Sequence, residues 1–240
     1  MAALLNVQDL EMRFGDRLIQ RGVSFEVEAG RIFAIMGGSG CGKSTLLKHL
    51  VGLLPPASGT VRHGGVDYWA SGEAEREAMR LKFGMLFQSA ALWSSTTVLD
   101  NVCLALARQT ALDARAQEAR AREVLARLGL DDAAHQMPAQ LSGGMKKRAG
   151  LARALALDPA ILFLDEPSAG LDPITSRKLD ELIVQLRESL GTTMVVVSHE
   201  LASIFSIADR VIMLDRDQQG IVAEGNPREM AVRSPDLRVR

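Results

Sequence analysis

The sequence is poor in cysteine, in net charge and in long apolar runs, and each shortage removes a class of protein. Cysteine occurs only as Cys41 and Cys103. They match no metal-ligand spacing and allow at most one disulfide, so neither a disulfide scaffold nor a thiolate metal site is expected and a reducing cytosol suits the chain. The formal net charge is -1, which gives no overall attraction to nucleic acid or anionic lipid, and no nucleic-acid partner is expected. No apolar stretch reaches the length of a membrane span, and the N-terminal MAALLNVQDLEMRF lacks a basic region followed by an apolar signal core. Nothing here is expected to cross a bilayer unaided. What remains, 240 residues of which 47% are hydrophobic and 24% charged, can bury a large core as one domain or one domain with a subdomain.

Against that background one stretch stands out, GGSGCGKST from Gly37 to Thr45. It follows the apolar run 31–36 and precedes the helix-patterned 46–50, so it reads as strand, glycine turn and helix start, the context a phosphate-binding loop needs. The glycines let the backbone curl until the N–H groups of Gly37, Gly38, Ser39, Gly40, Cys41 and Gly42 face one anion, and the helix N-terminus adds its own unpaired donors. Cys41 counts here as backbone. Lys43 reaches the outer phosphates, Ser44 offers a hydroxyl to magnesium and Thr45 another to an inner phosphate.

Upstream, residues 4–36 alternate like strands, with turn-prone Phe14-Gly15-Asp16 between them. They form a small antiparallel layer in which Phe14 either stacks on an adenine or packs in the β core. Downstream, Thr60-Val61-Arg62 reads as a strand, 73–81 as a short charged helix and 82–87 as a strand. From Ser89 to Leu130 strand signals vanish, and 98–107 and 114–128 carry alanine, leucine and arginine at helical spacing. Leu141-Ser142-Gly143-Gly144-Met145 then leads into a helix over 146–157. It is a second potential anion site or a plain helix cap.

Ile161 to Leu164 is a continuous apolar run, as a buried parallel strand requires, and delivers Asp165 and Glu166 to its carboxyl edge, where ligands bind. Asp165 is placed to hold magnesium through a water, and Glu166 to orient and deprotonate an attacking water. A helix over 173–190 and a strand over 193–197 follow, and that strand ends at Ser198-His199. His199 can therefore contact a terminal phosphate, whereas His49, His63 and His135 have no such position and read as surface or packing residues. Strands over 210–214 and 221–224 finish the sheet, and Asn226-Pro227 opens a last short helix.

In this order the motifs resemble the ATP-binding subunit of ABC transporters over nearly the whole chain: the loop 37–45, Gln88 after a strand, LSGGM at 141–145, ILFLDEP at 161–167, SAGLD at 168–172 and VSHE at 197–200. The resemblance implies an α/β fold, a P-loop NTPase (RecA-like) core with an N-terminal antiparallel β layer and an inserted α-helical subdomain. One nucleotide-binding domain would cover 1–240, with 1–88 and 158–240 as catalytic core and β subdomain and 89–157 as helical subdomain. It further implies ATP and Mg2+, with Phe14 on adenine, Gln88 sensing the γ-phosphate and metal, Glu166 as base, His199 on the γ-phosphate, and Asp172 crossing to a partner subunit. Ser142, Gly143 and Gly144 would bind the ATP held by a second copy, so a homodimer would sandwich two nucleotides. Separate permease subunits would carry the transport path, leaving this chain peripheral on the cytoplasmic side of the inner membrane. Ala90, Ala91, Leu92, Trp93 and Val98 are a candidate groove for a permease helix, unless Trp93 merely caps the helical subdomain.

A finer resemblance, to the ATPase of Mla-type phospholipid transporters linked to MCE proteins, rests on FGMLFQSAALWSSTTVLDNV at 83–102, LSGGMKKRAGLARALALDP at 141–159 and the terminal SPDLRVR at 234–240. It implies an MCE-domain lipid-binding partner and, in some systems, a STAS-domain one. The alternatives are an ABC transporter for another solute and a soluble ABC ATPase acting on nucleic acid or ribosomes.

Overall fold

The computed structural model describes residues 3–233, so the SPDLRVR segment at 234–240 lies outside it. Strands β1 (Ala3–Phe14) and β2 (Arg17–Glu28) pair antiparallel. On the other side of β1 lie β4 (Ser58–His63) and then β5 (Val66–Asp67), in the order β2-β1-β4-β5. Leu5 and Val7 face the core before a register shift, and Leu10 and Met12 face it after. Asp9, at φ 47, lies within that shift. A bulge of this kind resets the two-residue alternation, which a strict strand would otherwise carry to the wrong face.

The second sheet has six strands in the order β10-β9-β3-β8-β7-β6. They are β3 (Ile32–Gly37), β6 (Phe83–Leu86), β7 (Ile161–Asp165), β8 (Thr193–Val197), β9 (Arg210–Asp215) and β10 (Gly220–Gly225). All neighbours are parallel except β9 and β10. The chain leaves β3 for the far edge at β6, returns through β7 and β8, and then crosses β3 to reach β9, so the carboxyl end of β3 opens at a switch point of the sheet.

Because both faces are covered, the parallel strands are apolar throughout. Phe33, Ile35, Phe163, Val195 and Val197 pack toward the antiparallel sheet and α1 (Lys43–Leu50). Leu162, Leu164, Met194 and Val196 pack toward α3 (Val98–Gln109), α4 (Ala114–Arg127), α5 (Gly143–Leu155) and α6 (Pro173–Leu190). Helix α5 lies close on β6: a Cβ at Gly84 would fall 2.4 Å from the carbonyl oxygen of Ala154, and one at Gly150 would fall 2.8 Å from Leu86. Short helices α2 (Glu73–Arg80), α7 (Leu201–Ile207) and α8 (Pro227–Arg233) complete the chain. Among the described residues no helix is long and apolar enough to cross a membrane.

One open reading closes and one expectation shifts. His49 and His63 are both buried, so they are packing residues and not surface ones. The Nε2 of His63 faces the carbonyl of Leu50 at 2.9 Å, and the ring packs on Phe83 at a centroid distance of 4.4 Å. Ala90 and Val98 also belong to the core, so the exposed part of the expected groove is narrower than five residues.

Candidate functional site

The turn from β3 into α1 is shaped by a backbone only glycine permits. At Gly37, φ is 149, and a Cβ there would lie 2.4 Å from the carbonyl oxygen of Leu214 and 2.7 Å from Cys41 Sγ. Gly42 caps α1 at φ 103, with no side-chain cap and no acidic residue in the first turn. The first N–H groups of α1 therefore have no side-chain acceptor, and the helix dipole favours an anion there. Lys43 is nearly buried, and its ammonium donates to the carbonyls of Gly37 at 2.8 Å and Gly38 at 3.1 Å. Burial pushes the Cys41 thiol up, which disfavours the thiolate.

An open cleft of about 530 Å³ runs over this loop, lined by Phe14, Arg17, Ile19, Ser39, Gly40, Gly42, Lys43, Ser44, Thr45, Gln88, Glu166 and His199. Phe14 ends β1 with 52% of its surface exposed, which removes the reading that it packs in the β core. Beside the loop, the Ser44 hydroxyl donates to Asp165 at 3.2 Å. Burial raises the pKa of Asp165, with Ser44 and nearby lysines acting against the rise. A hydroxyl beside a carboxylate is a hard oxygen set of the kind magnesium takes, completed by phosphate oxygens and water. Among the described residues no cluster of His, Cys, Asp or Glu could hold a metal by itself. The loop donors and this oxygen pair thus fit a nucleotide phosphate and magnesium together.

Glu166 follows β7 at φ 48, a region non-glycine residues enter only where their neighbours hold them. Its N–H donates to Val197 at 2.9 Å. Its carboxylate is almost buried and meets Nδ1 of His199, whose ring is 59% exposed. The expected residues from both ends of the chain thus converge on one cleft.

Eight expected residues are not in its lining: Gly37, Gly38 and Cys41 belong to the loop beneath it and Asp165 is bonded to Ser44, whereas Ser142, Gly143, Gly144 and Asp172 sit at the starts of other helices. Ser142 caps α5 by accepting from the Met145 N–H at 3.3 Å, so the helix begins at Gly143 and not at Lys146. Asp172 caps α6 through the N–H groups of Ile174 and Thr175, and these bonds with the Thr175 hydroxyl hold its carboxyl below the usual range. Neither these two nor Gly143 and Gly144 reach the loop of their own chain's cleft.

The fold also recruits residues that motif reading passed over. Gln20 is fully buried, and its amide donates to the carbonyls of Cys41 at 2.7 Å and Asp215 at 2.8 Å, propping the phosphate loop from β2. Lys147 donates to the carbonyls of Gln88 and Glu166. Arg153 donates to those of Ala91 at 2.6 Å and Ala90 at 3.0 Å. A sequence signal existed for Lys147 alone: at helical spacing it shares the buried face of Gly144, Gly150, Leu151 and Ala154. Beyond Ala91 lies a groove of about 370 Å³ lined in part by Phe83, Phe87, Trp93, Leu104 and Arg153, in which the Trp93 indole is 56% exposed.

With this geometry in view, the family model described as ABC transporter matches residues 20–169. The chain is 41% identical over 236 residues to the intermembrane phospholipid transport system ATP-binding protein MlaF of Haemophilus influenzae, covering 98% of this chain and 88% of that one. Among solved structures it is similar to cbiO1 from Clostridium perfringens, part of the ABC transporter complex cbiONQ, with a TM-score of 0.86 at 27% identity over 98% of this chain and 97% of that one. A dimeric ATP-binding cassette in a post-hydrolysis state bound to ADP and Pi superposes with a TM-score of 0.82 at 31% identity, over 92% and 98% of the two chains.

Proposed function

This chain belongs to the ABC transporter family as an ATP-hydrolysing subunit, and we propose that it works as a homodimer that closes around two ATP molecules to drive phospholipid movement between inner and outer membranes. Each ATP would lie between the loop Gly37–Thr45 of one copy and Ser142-Gly143-Gly144 of the other. The observation carrying this is that Ser142, Gly143, Gly144 and Asp172 do not line their own chain's cleft, yet Gly143 and Gly144 open a helix whose first N–H groups suit an anion.

Within that arrangement Phe14 stacks on adenine. The N–H groups from Gly37 to Gly42, with Lys43 and Thr45, hold the phosphates. Ser44, Gln88 and Asp165 hold magnesium, which when bound neutralises phosphate charge. Glu166 orients a water and accepts its proton. His199 meets Glu166 through Nδ1 and offers its other ring nitrogen to the terminal phosphate. Asp172 reaches across to the second copy. Among the described residues, 3–88 and 158–233 make up the catalytic core with its β subdomain, and 89–157 make up an arm carrying the second anion site.

The partners are two permease subunits docked in the Trp93 groove at the cytoplasmic side of the inner membrane, an MCE-domain lipid carrier and, in some assemblies, a STAS-domain protein. Support for phospholipid as the cargo comes from the Haemophilus influenzae relative MlaF, the ATP-binding protein of an intermembrane phospholipid transport system. In Glu166→Gln, ATP hydrolysis should fall by about 10² or more while ATP drives the protein to the dimer in gel filtration. A parental hydrolysis rate would remove Glu166 as base. Mass spectrometry of lipid retained by the purified transporter checks the cargo, and a complex carrying no phospholipid would redirect the proposal to another solute.

A further inference from the structure

Lys147 makes a contact that none of these roles uses. It lies one helical turn beyond Gly144 on α5, is only 6% exposed, and donates at 2.8 Å to the carbonyl of Gln88 and at 2.8 Å to the carbonyl of Glu166. Burial pulls its pKa down, and Glu166, Asp165 and Glu200 act against that pull. An ammonium in such a place loses hydration that backbone carbonyls only partly replace, and an apolar side chain of equal length would fill the buried face of α5 without that cost. Packing therefore does not account for the cation.

What the cation does is fix two backbone units whose side chains enter the cleft. Glu166 is held at φ 48, and its carbonyl is the acceptor that Lys147 occupies. Gln88 is gripped by the same ammonium, and farther along α5 Arg153 grips Ala90 and Ala91. One helix thus holds both the strand end that bears Glu166 and the loop that bears Gln88.

We propose that Lys147 is a positioning residue that sets Glu166 and Gln88 in register with α5, so that the carboxylate is aimed only while that helix is seated. The proposal rests on the reading of Glu166 as base and of Ser142-Gly143-Gly144 as the site for the other copy's ATP. On that reading α5 touches one composite site with its first turn and sets the base of the other with its second, and Lys147 links the two.

The test is single-turnover ATP hydrolysis by the 240-residue chain in excess over ATP, with the rate normalised to the nucleotide-binding sites counted with a fluorescent ATP analogue. Lys147→Met keeps the length and removes both donors. Its rate constant should fall by about 10- to 100-fold with ATP affinity close to parental, and Lys147→Gln, which restores a donor, should recover much of that loss. A parental rate in Lys147→Met overturns the proposal. So does a loss that Lys147→Gln does not relieve and that falls equally on nucleotide affinity and melting temperature, which is the pattern of a packing defect. Glu166→Gln is measured alongside: a parental rate there would sink the reading of the base itself, whereas an inactive Glu166→Gln beside a fully active Lys147→Met would sink the positioning role alone.

Discussion

His199 points its Nδ1 at both carboxylate oxygens of Glu166, at 2.9 Å and 2.8 Å. The two residues follow different parallel strands, β7 and β8, which are neighbours in the sheet. Strand register therefore sets their approach, and the imidazole forms the solvent-side cover of a carboxylate that is otherwise enclosed.

Removing that cover should cost rate more than binding. His199→Ala is expected to lower kcat by about 10- to 100-fold, within the range for a group that assists proton transfer, with ATP affinity changed far less. A raised KM with kcat unchanged would place His199 in ground-state binding instead.

Ser44 and Asp165 are joined by a hydroxyl–carboxylate hydrogen bond. Ser44→Ala should raise the magnesium concentration for half-maximal activity by about tenfold or more, the scale on which altered metal shells act, while binding of ATP without magnesium stays near parental. A magnesium curve that does not move would remove Ser44 from the metal site.

The groove beside Trp93 invites a docking test. The backbone of Trp93 is fixed by Asn101, which accepts its N–H at 2.7 Å and donates to its carbonyl at 3.1 Å, so Trp93→Ala keeps the loop and removes only the indole. Co-purification with the permease should weaken by about 2 kcal/mol, as for other buried tryptophan anchors, with nucleotide binding intact. Loss of both together would count against docking.

His63 sets part of the acid sensitivity. Burial lowers its pKa to about 4, so between about 6.5 and 4 the unfolded chain binds a proton that the folded one refuses, and stability falls as pH falls. The slope from this one group is at most about 1.4 kcal/mol per pH unit. His63→Phe should melt lower at pH 7.5, since the Leu50 carbonyl loses its partner, yet show a shallower decline toward pH 4. His49, also held low by burial, keeps some slope in the variant. An unchanged decline would show that His63 does not carry it.

Much of this was legible in the chain because local chemistry specifies it. The helix Pro173–Leu190 was readable to the residue: Asp172 caps it, Pro173 suits its first turn and Gly191 ends it at φ 65. The start of α5 was less clear because Gly143 and Gly144 read as loop, and only the Ser142 cap makes them helical. Helix α7 was not legible at all, since LASIFSI carries no side-chain cap and is held against α6, where the Ser203 hydroxyl donates to Asp180 at 2.6 Å. The partners of Gln20 and Lys147 are backbone carbonyls far away in the chain, and no side-chain motif marks a carbonyl. Ala90 and Val98 were misplaced for a related reason: an apolar residue beside an exposed tryptophan looks the same in sequence whether it faces in or out.

Ala90 and Ala91 take φ 61 and φ 46, a conformation that costs about 1 to 2 kcal/mol for each residue with a Cβ. Glycine would relieve that cost and would also give the segment between cleft and groove free play. Alanine has far fewer backbone options, and Arg153 grips both carbonyls. The backbone between Gln88 and Trp93 is consequently restricted at both alanines, and a glycine at either place would slacken the link between cleft and groove.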